Sequence, residues 1–182
     1  MISTTFQDRS MKKINKTVLA AVLTATALIL SYIETIVSSG IIIPGIKLGL
    51  SNIPVVIALY TISFPHALAI GILKSLISLL IFGRLSSLMY SLFGIIFAIL
   101  SMYLLKRIKP LSLLSVNVGG SFMHIIGQLF AASIMLKSLT PWTLFPIFGA
   151  LSIVSGVLTY IPERFLLRFI IKNYSKEVDK KC

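Results

Sequence analysis

Seven polar side chains in this apolar sequence could bind a small ligand through charge and hydrogen bonds. They are Glu34, Lys47, Asn52, Lys74, Arg84, His124 and Gln128. The stretch IIIPGIKLGLSN, residues 41–52, places two of them among isoleucine, leucine and glycine. Three cations against one carboxylate favour an anionic or zwitterionic ligand. Lys47 and Arg84 could instead extend towards a membrane surface, an explanation that suits Lys74 poorly.

The same residue types argue against catalysis and against a resident metal or cofactor. The five acidic residues, Asp8, Glu34, Glu163, Glu177 and Asp179, lack the clustering that holds Mg²⁺ on a diphosphate. Two histidines and a single cysteine do not form a zinc-ligand pattern. The chain also lacks the phosphate-binding loop of an ATPase. We therefore expect a protein that is not an enzyme and holds no cofactor and no metal.

The elements that position these residues are membrane helices. Apolar residues make up 57% of the chain and charged residues only 12%, whereas roughly a quarter of the residues in a soluble domain are charged. Apolar runs long enough to cross a bilayer recur along the whole chain. We predict an all-α integral membrane protein, a single domain over residues 1–182 with a six-transmembrane-helix bundle.

The predicted spans are about 17–38, 48–63, 67–82, 85–105, 111–136 and 142–161, followed by a basic tail, 162–182. The second and third spans have only about 16 residues each, so they either tilt little or form a re-entrant hairpin. We expect the first span to be retained rather than cleaved as a signal peptide. The tail after Pro162 predicts a basic amphipathic helix along the inner surface.

The basic residues predict the orientation. Most of the 17 Lys and Arg residues fall in segments that are cytoplasmic if the N-terminus is inside. Both termini are therefore predicted to be cytoplasmic. The net charge of +12 then reflects membrane topology, and no nucleic-acid partner is expected. In this orientation the seven polar residues lie in the outer half or the middle of the bundle.

Small and polar residues predict the packing faces of the helices. Span one carries a stripe of Ala20, Thr24, Ala27, Ser31 and Glu34, with Ala21 and Ala25 beside it. Packing within the chain explains most such stripes, and an external partner helix is a sharper alternative for span one. On span five, Asn117, Ser121, His124 and Gln128 share one face. Such a row indicates either a ligand or solvent pocket or hydrogen bonds between helices.

Two motifs resemble the small bacterial membrane family of Gx transporters, also labelled heptaprenyl diphosphate synthase component I. The first is PGIKLGLSN, with Gly45, Lys47, Gly49 and Asn52; the second is HIIGQLFAA, with His124, Gly127 and Gln128. The family has Asn after the His, where this chain has Ile125. The resemblance extends from span one to span six.

That family is similar to the substrate-binding S components of energy-coupling factor (ECF) transporters. The similarity implies a site that opens outward beneath the loop between spans one and two, with residues 41–49 as a lid. It also implies that an alanine-rich first helix docks onto a shared membrane subunit, here through Ala20, Ala21, Ala25 and Ala27. Two ATPases and the coupling membrane subunit would supply the energy, in the plasma membrane of a bacterium.

Two functions remain open at this point. The first is substrate capture for a multi-component importer of a small, vitamin-like or precursor-like ligand. The second is a non-catalytic membrane accessory subunit of a prenyl diphosphate synthase, in which Lys47, Lys74 and Arg84 hold a diphosphate.

Overall fold

The computed structural model describes residues 16–39, 49–82, 85–108 and 111–179, and this part of the chain holds helices and turns but no strand. The six α-helices are α1 (Lys16–Ser39), α2 (Ile53–Thr61), α3 (Phe64–Phe82), α4 (Leu85–Arg107), α5 (Leu113–Leu136) and α6 (Phe145–Asp179). Short 3-10 turns, Leu50–Asn52 and Thr140–Leu144, precede α2 and α6. All helices except α2 are long and apolar enough to cross a bilayer. The prediction of an all-α, six-helix, multi-pass membrane protein is confirmed.

Helix α2 is a half-helix around which the bundle packs. Its nine residues span about 14 Å, less than half of a hydrocarbon core of about 30 Å. Every residue of α2 except Tyr60 is buried, and α1, α3, α4 and α6 all contact it. The helix in the second predicted span is therefore too short to cross the bilayer by itself. The third is longer than predicted, because α3 begins at Phe64 with Pro65 in its first turn, where a missing N–H costs nothing.

Tyrosine–cation pairs mark one end of the bundle, which we call the basic end. A Lys or Arg lies over a tyrosine ring, at 4.3 to 5.8 Å from its centroid, in Tyr60–Lys106, Tyr103–Arg107 and Tyr160–Arg164. Tyrosine and basic residues are typical of the boundary between membrane and water. In the predicted orientation, the basic end is the cytoplasmic one.

Helix α6 extends further than the sequence predicted. It is one helix of 35 residues, about 52 Å long, with Pro162 inside it. The segment after Pro162 is therefore part of this helix and not a separate surface helix, whereas the predicted end of the membrane span at residue 161 stays a prediction. Proline removes a single N–H donor, and membrane helices tolerate this where neighbouring groups satisfy the freed carbonyl. The buried face of α6 repeats every three or four residues: Gly149, Ser152, Gly156, Thr159, Glu163 and Leu167.

Small residues bring α4 and α5 into the closest contact in the bundle. A Cβ atom added to Gly127 of α5 would lie 2.5 Å from the carbonyl oxygen of Phe93 and 3.0 Å from the Cα of Gly94. The backbones thus meet without a side chain between them, as small residues permit in membranes. Gly94 and Ala98, two small residues of α4 that are one turn apart, are buried.

We expect Gly127→Ala to lower the free energy of unfolding by about 1–3 kcal/mol, because the new methyl group must push the α4 backbone away. Gly149→Ala is the matched control, since its Cβ would lie 3.5 Å from the nearest atom, an ordinary van der Waals distance. Thermal unfolding of both variants in the same detergent measures the difference. Equal melting temperatures would contradict the close contact.

Candidate ligand-binding site

Glu34, Asn52 and Lys74 meet in one hydrogen-bond network at the turn before α2, which we call the central network. Ser51 Oγ donates to Glu34 Oε2 (3.0 Å), and Glu34 Oε1 accepts from the Gly49 N–H. Lys74 Nζ donates to Asn52 Oδ1 (2.8 Å), to Ser51 Oγ (3.2 Å) and to the Ser51 carbonyl (3.4 Å). Glu34 and Lys74 are only 1% and 4% exposed. Ser51 therefore joins a buried acid to a buried cation.

The backbone at Gly49 explains how the turn reaches this position. Gly49 has φ of +77°, a left-handed conformation that favours glycine. A Cβ there would also lie 3.0 Å from Ser155 Oγ of α6. The chain can thus turn tightly against α6 and present the Gly49 N–H to Glu34. An acidic side chain at this point also complements the positive end of the α2 dipole.

The central network lies near the middle of the membrane-spanning region. Phe64, at the start of α3, packs on Tyr103 at the basic end, with ring centroids 4.5 Å apart. Lys74 follows Phe64 on the same helix by ten residues, or about 15 Å. This is half of a typical hydrocarbon core of about 30 Å. The site is therefore at the depth where ionisable groups are costly and usually functional.

The polar row predicted on α5 divides between two neighbouring helices. Asn117 Nδ2 donates to the Gly156 carbonyl (2.9 Å) and to Thr159 Oγ1 (3.0 Å), both on α6. Nearer the other end of α5, the His124 and Gln128 Nε2 atoms are 3.1 Å apart. A hydrogen bond between helices thus accounts for Asn117, and contact with a neighbouring side chain accounts for His124 and Gln128.

His124 and Gln128 form a second polar group, on the side of α5 that contacts α4. A Cβ on Gly94 would lie 2.8 Å from the His124 ring and 3.1 Å from Gln128 Cγ. Gly94 therefore leaves the room that the two side chains occupy. The five described members of the predicted site thus belong to two groups, one at the turn before α2 and one between α4 and α5.

Lys47 and Arg84 lie outside the described residues, so their role in the site stays a prediction. Within the central network, one carboxylate and one ammonium group balance. The predicted excess of positive charge therefore depends on Lys47 and Arg84. In the described part of the chain, no cluster of His, Cys, Asp and Glu could hold a metal ion.

The residues that connect the network were not among the predicted site residues. Ser51 bridges Glu34 and Lys74, and the Gly49 backbone binds the acid. Both lie inside the quoted motif, within three residues of Asn52, and that proximity was the available signal. Ser155 and Thr159 border Gly49 from α6. No pattern on α6 pointed to them.

A family model described as heptaprenyl diphosphate synthase component I matches residues 23–166. The chain belongs to this family. The match runs from α1 to α6 and contains the whole central network as well as His124 and Gln128. The resemblance inferred from the two motifs is therefore confirmed at the level of the family. Comparison with curated proteins and with solved structures finds no match in either set.

The four alanines assigned to partner docking have different surroundings. Ala21 and Ala25 are exposed on the outer face of α1, beside the exposed Val18, Val22 and Ile29. Ala20 is half-buried, and Ala27 is completely buried in the hydrophobic core. Within this chain, Ala27 packs inward with Ser31 and Glu34. The surface that α1 leaves open to a partner or to lipid therefore contains Ala21 and Ala25 but not Ala27.

We expect Ser51→Ala to lower the free energy of unfolding by about 1–3 kcal/mol, because it leaves a buried acid and a buried ammonium each short of a partner. Thr26→Val is the control: it removes an exposed hydroxyl that bonds only its own helix, at the Val22 carbonyl. Thermal unfolding in detergent compares the two variants. A Ser51→Ala protein as stable as Thr26→Val would show that the bridge contributes nothing.

Proposed function

We propose that this protein is the substrate-binding membrane subunit, or S component, of an ECF-type importer for a small anionic or zwitterionic ligand. The observation that carries the proposal is the central network, which gathers buried polar groups near the bilayer midplane at the start of a half-helix. Transport proteins commonly bind substrate at this depth, where the N-termini of broken helices point at anionic groups. Residues 41–48, outside the described residues, would form the lid.

The network has the hydrogen-bonding groups that such a ligand needs. Lys74 and the Gly49 N–H can donate to a carboxylate or phosphate, as they now donate to Asn52 and Glu34. Glu34 can accept from an amine or hydroxyl of the same ligand. On binding, the ligand would replace the hydrogen bonds that these groups now make within the protein. Those internal hydrogen bonds limit the free-energy cost of burying the groups when no ligand is bound.

The energising partners in this proposal are two ATPases and a coupling membrane subunit, in the plasma membrane of a bacterium. The outer face of α1 supports docking of the coupling subunit, because Ala21 and Ala25 leave a shallow surface between larger apolar side chains. Close approach of a second helix in lipid requires such small residues.

A second candidate follows from the description of the family: a non-catalytic accessory subunit of a heptaprenyl diphosphate synthase. Lys74, with Lys47 and Arg84, could hold a diphosphate. The exposed Arg164, Arg168 and Lys172 on α6 at the basic end could contact an acidic soluble subunit. This role predicts a complex with a soluble synthase that brings the missing carboxylates.

Native mass spectrometry of the protein extracted gently from its own membranes distinguishes the two candidates. A small-molecule adduct together with the masses of ATPase subunits is the result expected of an importer. A complex with a soluble prenyl synthase and no ATPase would overturn the importer and support the accessory subunit.

We expect Lys74→Met to reduce the affinity for the co-purified ligand by about tenfold to a hundredfold, the range for losing a charge-assisted hydrogen bond. Lys106→Met is the control, because Lys106 is a half-buried lysine that also donates to a backbone carbonyl, but at the basic end. Occupancy of the adduct, measured at equal protein recovery, gives the comparison. Equal losses in both variants would place the ligand elsewhere.

We expect Ala25→Leu to break assembly with the coupling subunit while ligand occupancy is kept, because the larger side chain separates the two helices. Ala150→Leu makes the same change at an exposed position of α6. Co-purification of the ATPases reports assembly. If both variants retain the ATPases equally, the outer face of α1 is not the docking surface.

A further inference from the structure

The bundle buries a second acid, Glu163 of α6, that the proposed ligand site does not use. Glu34 and Glu163 are each 1% exposed. Donors reach both oxygens of Glu34. Glu163 Oε2, by contrast, is buried without a hydrogen-bond partner in the described part of the chain. The two acids are thus equally buried, but they differ in hydrogen bonding: both oxygens of Glu34 have a donor, and Glu163 Oε2 has none among the described residues.

Among the described residues, the charged and titratable groups around Glu163 do not supply the missing donor. From α2, Tyr60 faces it and interacts with it electrostatically. From α4, the Lys106 ammonium lies over the Tyr60 ring and donates to the Leu59 carbonyl. On α6 itself, Arg164 donates to the Tyr160 hydroxyl and is exposed. The described part of α5 that packs on α6 near this level carries no ionisable side chain.

A carboxylate is very costly to bury when one of its oxygens has no donor and no cation is paired with it. A neutral carboxylic acid avoids most of that cost. We propose that Glu163 is a proton-binding site at the contact between α2 and α6, and that its bound proton holds α6 against α2. The proton is taken from water at the basic end and returns there when the two helices separate.

The position of Glu163 links this site to the rest of the bundle. Thr159, one turn earlier on the same buried face of α6, accepts from Asn117 and borders Gly49 of the central network. Tyr60 and Leu59 belong to the last turn of α2. Loss of the proton would therefore loosen α6 along the side of α2, from the basic end towards the network. The inference does not depend on which ligand the protein binds.

The test compares thermal unfolding of the purified full chain and of Glu163→Gln in lipid nanodiscs, from about pH 5 to about pH 8, a range above the ordinary pKa of Glu and below those of Tyr and Lys. If the packed state holds a proton that the unfolded state releases, stability falls as pH rises. The wild-type melting temperature should fall by several degrees across this range. Glutamine, an uncharged mimic of the acid, should remove most of that fall. Both histidines, His66 and His124, are the same in the two proteins, so the difference between the two curves isolates Glu163.

Glu34→Gln is the matched control at an equally buried acid. It should lower the melting temperature at every pH while keeping the wild-type slope, because an amide nitrogen cannot accept from Ser51.

Infrared spectroscopy adds a direct measurement at about pH 7: the carbonyl stretch of a protonated carboxylic acid, present in the wild type and absent from Glu163→Gln. A Glu163→Gln protein that unfolds more easily at low pH, keeps the full slope or lacks this difference band would overturn the proposal.

Discussion

The backbone of a helix that ends inside a membrane has to be satisfied without water, and this constraint organises the bundle. A helix leaves its first N–H groups and its last carbonyls without partners inside the helix, and hydrocarbon offers none. Helix α2 begins inside the bundle and runs to the basic end, and charged side chains bind the backbone near both of its ends. Glu34 accepts from the Gly49 N–H just before its start, and Lys106 donates to the Leu59 carbonyl near its end. An acid at the N-terminus and a base at the C-terminus also match the helix dipole.

This arrangement explains why polar groups collect at the bilayer midplane even before a ligand is considered. Glu34 binds the turn before α2, Lys74 compensates the charge of Glu34, and Ser51 connects them. The same groups that stabilise the half-helix are those that could recognise a ligand. Structural and binding roles therefore overlap at Glu34 and Lys74. The effect of a substitution there on folding can be separated from its effect on binding only when protein stability and ligand occupancy are both measured. Ser155 and Thr159, which border the turn from α6, extend the polar surroundings to a further helix.

Apolar runs and periodic small residues were enough to predict the helices, but not where two of them end. On α1, the predicted stripe is buried at Ala27, Ser31 and Glu34, as its spacing indicated. The half-helix was ambiguous, because a run of Ile, Val and Leu has the same composition whether it crosses a bilayer or stops within a bundle. Pro162 suggested a helix end, since sequence does not reveal which neighbours satisfy the carbonyl that proline frees. Glu34, Asn52 and Lys74 were grouped correctly by charge and depth, whereas Ser51 acts through geometry that only the folded turn creates.

Helix α1 is the element through which capture and assembly would communicate in the proposed importer. Its inner face carries Glu34, which holds the turn before α2, and its outer face carries Ala25. The two residues are nine positions apart, or about 14 Å along one continuous helix. A ligand that takes hydrogen bonds from Glu34 would change how firmly α1 is held to α2, and a partner on the outer face would act on the same rigid element. Coupling between the two faces then requires no long pathway, because a single helix carries both the residue that binds the turn and the residue that would contact the partner.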